Sequence, residues 1–432
     1  MSAPTEIPDQ SIDSLWQQRQ RLLRFWLLCW GALLLATWPL WCPQTDFPSV
    51  PLFGPGWTLP AFWQAGVLVG LVSSLVVAFV GLGSRIGTAA ILCFSLFALL
   101  LVTLNQHRLQ PWMYQAIILC WVFAGLPPLA ALRCLRWLTI SIYFYSALGK
   151  LDYQFLHTVG QQFLQTILAF VGVDASLMDW SIGLWLAGLL PCGELAIAVG
   201  LSFRCCRRWA ACGAIVMHLM ILLIVSPWGL GHRPGVWIWN LAMAGNAYLL
   251  FFGNVKNTAN PCPRPREREA RHALRYCGWL RPAVHLIVCG ALLLPLSERY
   301  GFWDHWLSWA LYSPHTSRVD IYVHASAVDH LPAAVGPHVG PPDPLGWCKV
   351  AMDRWSLQTV GVPIYPQARF QLAVAIAMVQ APALEGASRV ELRGISHRFD
   401  GRRSTERLVQ SLELRRVADR YWLNALPAKR ES

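Results

Sequence analysis

Lys150 and Glu194 are the residues of this chain most able to do chemistry, because each lies in or at the end of a long apolar run. Lys150 closes the stretch YFYSALGKL, with Asp152 two residues on. A lysine there has two uses. Its four-carbon stem can carry the ammonium out to a membrane surface, or, turned inward and stripped of water, it can serve as a base. Glu194 is the one carboxylate within an apolar run, and ionisable groups inside a bilayer are costly enough to face the bundle interior and take partners. Depth follows from a rise of ~1.5 Å per residue, counted from the nearest basic residue at an expected cytoplasmic edge. Glu194, His218 and Asn246 then lie roughly 15 Å in, Lys150 roughly 21 Å and Asn240 roughly 24 Å. His218 is therefore the expected partner of Glu194. That pair suits a functional site, or equally a plain hydrogen bond between two helices. Lys150, Glu194 and His218 form the candidate catalytic set. Asn240, Asn246 and Tyr143 are candidates to line a binding site, Tyr143 also suiting plain helix packing. His232 and Arg233, in PWGLGHRPGVWIWN, could bind an anionic group or form a charged lip.

Composition places these residues in a membrane. Of 432 residues, 55% are hydrophobic and 13% charged, and the mean hydropathy is +0.41. A soluble domain carries about 25% charged residues. The 23 tryptophans agree, since indole rings favour the headgroup level of a bilayer. The net charge of +12 sits largely in short loops between apolar runs, which argues against nucleic acid and for a lipid bilayer as partner. No protein partner is legible. The 13 cysteines include no C-x-x-C pair, most lie inside apolar runs, and Cys205 and Cys206 are too close for ordinary metal-ligand spacing. No disulfide framework, metal site or nucleotide site is expected.

Runs able to cross a hydrocarbon layer of roughly 30 Å fall at 25–42, 61–83, 86–104, 113–132, 136–150, 180–203, 209–226, 234–252 and 282–297. With the N-terminus inside, the cytoplasmic connections would be 1–24, the turns at Arg85, at Arg133 and Arg136, and at Arg204, Arg207 and Arg208, and the segment 253–281. They hold 16 Lys/Arg against three on the other side (Arg108, Lys150 and Arg233), a strong positive-inside bias. His107 and Arg108 would lie in the outer interfacial belt. Residues 151–179 are too polar to cross, but Phe155, Leu156, Val159, Phe163, Ile167 and Phe170 share a helical face. That face would lie along the outer interface and could roof a cavity.

Residues 298–432 differ in composition, with 16 Lys/Arg and 13 Asp/Glu. RVDIYVHAS and SRVELRGISHRF alternate as half-buried strands do. PQARFQLAVAIAMVQ and TERLVQSLELRRVADRYW read as amphipathic helices, and Gly336–Gly346 as a loop. The expected fold is an all-α polytopic membrane bundle of about nine transmembrane helices, N-in/C-out, with a small C-terminal α+β extramembrane domain. Its parts are a cytoplasmic segment 1–24, a transmembrane domain 25–297 and an extracytoplasmic domain 298–432.

YFYSALGKL, then GELAIAVGLSFRCCRRWAACGAIVMHLMI and GVWIWNLAM, with WLSWALYSPHTSRVDIYV after the last span, resemble the HTTM membrane domain of vitamin K-dependent γ-carboxylase and its bacterial relatives. The likeness is specific over about 140–250. It implies a lyase-type carboxylase or quinol-dependent oxygenase in the bacterial inner membrane. In that chemistry a lysine deprotonates a reduced, vitamin K-like quinone, which after reaction with oxygen removes a proton from glutamate for carboxylation by CO₂. Carried over, the base is Lys150, with Glu194 and His218 as supporting polar groups. A much shorter exterior domain argues against a propeptide substrate. Two other classes remain. A DoxX- or MauE-like redox-associated partner shares the hydropathy, although no C-x-x-C offers a thiol relay. A transporter would bind at the Glu194–His218–Asn246 level, although no inverted repeat is present.

Overall fold

A computed structural model describes residues 9–174, 179–252 and 278–429. The basic connection 253–281 lies largely outside the described residues. Apolar runs become helices wherever no Pro or polar turn interrupts them: α1 (Asp9–Ala36), α2 (Trp38–Trp41), α3 (Ala61–Val80), α4 (Arg85–Leu104), α5 (Pro111–Gly125), α6 (Pro128–Lys150), α7 (Tyr153–His157), α8 (Val159–Phe170), α9 (Trp180–Ser202), α10 (Arg207–Val225), α11 (Pro234–Phe251) and α12 (Arg281–Leu293). A 3₁₀ turn extends α12 from Leu294 to Tyr300. Among the described residues, five helices are long and apolar enough to cross a membrane: α3, α4, α9, α10 and the segment Arg281–Tyr300. Their outer faces carry bare apolar side chains such as Val80, Trp185, Trp209 and Leu286, between 75% and 81% exposed. A soluble surface rarely shows such a patch.

Start signals set several boundaries. Ser84 caps α4, its hydroxyl accepting from Gly87 N at 3.0 Å, which satisfies one of the unpaired N–H groups of a first turn. Pro111, Pro128 and Pro234 each occupy a first helical position, where their missing N–H costs nothing. This corrects the expected turn at Arg133 and Arg136. The chain breaks instead at Leu126–Pro127, and both arginines lie inside α6. The segment after α6 is divided into α7 and α8, burying Phe155, Phe163 and Leu164 but leaving Phe170 exposed.

The C-terminal unit is a five-stranded antiparallel sheet in the order β2-β3-β1-β4-β5, formed by β1 (Arg318–His324), β2 (Val339–Pro342), β3 (Trp347–Val350), β4 (Ser388–Arg393) and β5 (Thr405–Leu408). Three helices accompany it: α13 (Met352–Thr359), α14 (Ala368–Met378) and α15 (Ser411–Ala418). Side chains alternate along a strand. Val319, Ile321 and Val323 of β1 therefore enter the core, while Asp320 on the other face is bridged by Lys349 and Arg393, each at 2.8 Å. Three local expectations fail here. Helix α14 is buried almost all round rather than amphipathic, because strands β1 and β4 and helix α15 pack on it and Arg369 ties it to Gln106 and Asp304. Thr405–Leu408 is a strand, since β4 offers it an unpaired edge, and only Ser411–Ala418 is helical. Gly336–Gly346 is only partly loop: Val339–Pro342 pairs with β3 as the outermost strand, where prolines are tolerated.

The sheet unit is stitched to the helices by loops that sequence cannot link. Asn424 N donates to Leu52 O at 3.1 Å, Ala428 N to Ser49 O at 2.9 Å, and Gln106 Nε2 to Asn424 O at 2.8 Å. Phe47 packs against Trp355 with centroids 4.6 Å apart and the rings tilted by 50°. His107 and Arg108 are buried, not belt residues. Arg108 donates to the carbonyls of Leu40 and Trp41, each at 3.2 Å, and so ties off the end of α2. His107 Nε2 meets Pro363 O at 2.9 Å.

Burial holds the His107 imidazole down at about 4, with the bond to Pro363 opposing and the Arg108 charge assisting. As pH falls from about 6.5, the unfolded chain takes up a proton that the folded chain refuses until about 4. Stability should therefore fall across that window, by a total on the order of 3 kcal/mol. Unfolding midpoints in detergent at pH 7, 6, 5 and 4 test this. His107→Phe should flatten the slope, and an unchanged slope would assign the pH dependence elsewhere.

Candidate functional site

Thr139, Tyr143, Ser146 and Lys150 follow one another at spacings of four, three and four residues, so they share one face of α6. Each of them meets a polar partner there. Lys150 Nζ lies 2.6 Å from Glu194 Oε2 of α9 and donates to Ser146 Oγ, one turn back, at 2.7 Å. Both charged residues are buried, Lys150 being 7% exposed and Glu194 6%. The lysine points into the bundle rather than out to a surface.

One turn up the stripe, Tyr143 OH and His218 Nε2 are 3.0 Å apart, and His218 Nδ1 lies 3.1 Å from Asn240 Oδ1. Asn240 Nδ2 is engaged by Val236 O at 2.9 Å, which leaves Oδ1 as the acceptor. His218 thus carries its proton on Nδ1, and Nε2 accepts from the Tyr143 hydroxyl. At the far end, Asn246 Nδ2 donates to Thr139 Oγ1 at 3.0 Å, and Trp26 Nε1 donates to Asn246 Oδ1 at 3.2 Å. Helix α6 is accordingly the hub, joined to α9 through Lys150, to α10 and α11 through Tyr143, and to α11 and α1 through Thr139.

The expected Glu194–His218 bond does not form, because depth orders groups along the bilayer normal but says nothing of which helix face they occupy. Lysine also has the reach to close several ångströms of the depth difference.

A roof comes from the segment after α12. A Cβ on Gly149 would stand 2.8 Å from Ser313 Oγ and 3.3 Å from Ala310 Cβ, so glycine beside Lys150 permits the roof to sit directly on the end of α6. Tyr312 lies with its ring 5.3 Å from Phe163 and 6.0 Å from His232, and Arg299 pairs with Asp152 at 2.6 Å. His232 thereby meets the roof segment. Arg233 does not: it is exposed and donates to Leu357 O at 3.1 Å. Asn246 and Thr139 form a separate polar contact deeper in the bundle.

No protein-family profile, curated protein or solved structure matches the chain, so the likeness to HTTM proteins rests on the residues quoted above. The sequence reading missed Ser146, Thr139 and the roof residues Tyr312 and Ser313. The first two were detectable, as small hydroxyl residues at helical spacing from Lys150. The roof carries no such signal, because more than 160 residues separate it from Gly149.

The arrangement can hold and move a proton in a site screened from water. An ammonium has three N–H donors; Ser146 and Glu194 accept two of them among the described residues, leaving one for a ligand oxygen. The carboxylate can take a proton back from the amine across 2.6 Å.

Proposed function

We propose that this chain is a polytopic membrane enzyme of the HTTM, carboxylase-like class, with Lys150 as general base toward a lipid-soluble quinol or similar small substrate. The observation that carries the reading is the inward Lys150, held 2.6 Å from Glu194 with a donor position to spare. Nine spans, a cytoplasmic N-terminus, an extracytoplasmic sheet unit and residence in a bacterial inner membrane belong to the same proposal, from the positive-inside charge bias and the resemblance.

A reduced quinone suits these residues: its ring matches the apolar surroundings of α6 and α9, and a phenolic oxygen matches the spare Lys150 donor. When bound, such a group supplies two electrons and an ionisable hydroxyl. Glu194 would first take one proton from the Lys150 ammonium across their 2.6 Å contact, and the neutral amine so formed would orient the hydroxyl and receive its proton. Tyr143 is fixed by His218 and keeps its ring against the site. The roof around Tyr312 excludes water, so that the proton stays within the pair.

The test is protection of Lys150. Protein in lipid nanodiscs is treated with an amine-reactive reagent, with and without a short-chain naphthoquinol, and modification of Lys150 is followed by peptide mass spectrometry. Quinol should slow modification at Lys150 at least tenfold and leave Lys349, an exposed control, unchanged. Quinol oxidation in air should be lost in Lys150→Met. Equal labelling with and without quinol, together with no turnover, would leave the Lys150–Glu194 pair a clamp between helices and favour a non-catalytic partner protein.

A further inference from the structure

Three residues outside the lysine site converge in the roof segment. Glu298 lies in the 3₁₀ turn after α12, His305 just before the short 3₁₀ turn Trp306–Ser308, and His315 just before β1. All three are buried, between 0% and 7% exposed. His305 Nδ1 is 2.9 Å from Glu298 Oε1, and His315 Nε2 is 3.0 Å from both carboxylate oxygens. One donor atom from each residue falls within 4.8 Å of the others.

The surroundings leave the two imidazoles as the hydrogen-bond partners of the Glu298 carboxylate among the described residues. A buried carboxylate ordinarily takes an arginine or lysine as partner. Arg299, next in sequence, turns away to Asp152. Asp304, the neighbour of His305, is committed to Arg369 and Tyr365. Among the described residues, only the two imidazoles reach Glu298. The backbone is also bent to bring them there: Trp309 and Tyr312 both adopt φ of 58°, a left-handed conformation costly to any residue with a Cβ. These two bends fold His315 back toward His305, and Ser396 N holds the His315 carbonyl at 2.9 Å.

We propose that Glu298, His305 and His315 bind a divalent first-row transition ion of the Zn²⁺ type. Two imidazole nitrogens and one carboxylate are a donor set used where a metal keeps an open position for water or substrate. Metal–ligand bonds of about 2.0–2.2 Å at tetrahedral angles place donor atoms about 3.3–3.5 Å apart. The two carboxylate–imidazole separations, 2.9 and 3.0 Å, fall a few tenths of an ångström short of that spacing, and all three donor atoms lie within 4.8 Å of one another. The inference does not rest on the role given to Lys150. The centre would stand in the same segment that seats Ser313 on Gly149.

Full-length protein in detergent is stripped with a chelator, reloaded with Zn²⁺, freed of unbound metal and assayed for metal content in a Cys205→Ser/Cys206→Ser background, which removes the exposed thiol pair as a competing ligand. About one Zn²⁺ per chain is expected. Glu298→Gln, His305→Gln and His315→Gln should each weaken binding by more than the roughly 10–100-fold typical of lost outer-shell partners. A measurement on the unsubstituted histidines guards against misfolding of those variants: Zn²⁺ should protect His305 and His315, but not exposed His397, from an imidazole-modifying reagent. Less than a tenth of an equivalent of metal bound, or equal modification with and without Zn²⁺, would overturn the proposal. So would stoichiometric binding that survives all three substitutions together.

Discussion

Lys150→Met should destabilise the folded protein by about 3–5 kcal/mol, since it leaves Glu194 charged and buried with its partner gone. Glu194→Met should cost a similar amount by stranding the ammonium. The informative variant is the double one. A buried ion pair bears the desolvation of two charges, and replacing both with apolar residues of similar size is often neutral or stabilising. Lys150→Met/Glu194→Met should therefore recover most of the stability lost by either single change. Reversible unfolding in mixed micelles measures all four proteins. Additive losses would mean that the 2.6 Å contact contributes no coupling. Activity separates the two roles of the pair: the double variant should be stable and inactive if Lys150 is the base, whereas any activity would have to survive in it if the pair only joins α6 to α9.

Arg369→Met should have the second large effect, again about 3–5 kcal/mol. Arg369 reaches both oxygens of Asp304 at 2.5 Å and donates through Nε to Gln106 Oε1 at 2.9 Å. Tyr365 OH adds a third bond to Asp304 at 2.6 Å. One guanidinium thus joins α14 of the sheet unit, the roof segment and the loop after α4. Removing it strands a carboxylate beside His305 and frees the roof. Limited proteolysis should then cut within residues 301–317 at least tenfold faster than in the parent, along with a lower unfolding midpoint. Arg369→Lys should recover less than half of the loss, because a single ammonium cannot span two carboxylate oxygens and Gln106 together. Protection of 301–317 in Arg369→Met would show that the roof is held by its other contacts, Ser313 on Gly149 foremost.

What the sequence determined by itself follows from local physics. Apolar runs bounded by Pro, Ser or Arg specify helices, and the five that can cross a membrane were all legible as runs. The alternation in RVDIYVH specifies a half-buried strand. The burial of Glu194 and His218 was likewise foreseeable from their place in apolar surroundings, whereas a lysine at a helix end could equally have carried its ammonium to the surface. Which of these groups touch was not foreseeable. Partner choice depends on the rotation and tilt of whole helices, so Glu194 took Lys150 and His218 took Tyr143 and Asn240. Strand β5 was misread because an edge strand owes its conformation to hydrogen bonds from β4, which no local propensity encodes. Glu298, His305 and His315 share no recognisable ligand spacing, and three left-handed residues, Gly301, Trp309 and Tyr312, bend the chain between them. Sequence set the material of each site, and tertiary structure decided its pairings, because contacts between distant segments are fixed by packing of complete elements rather than by any one residue's preference.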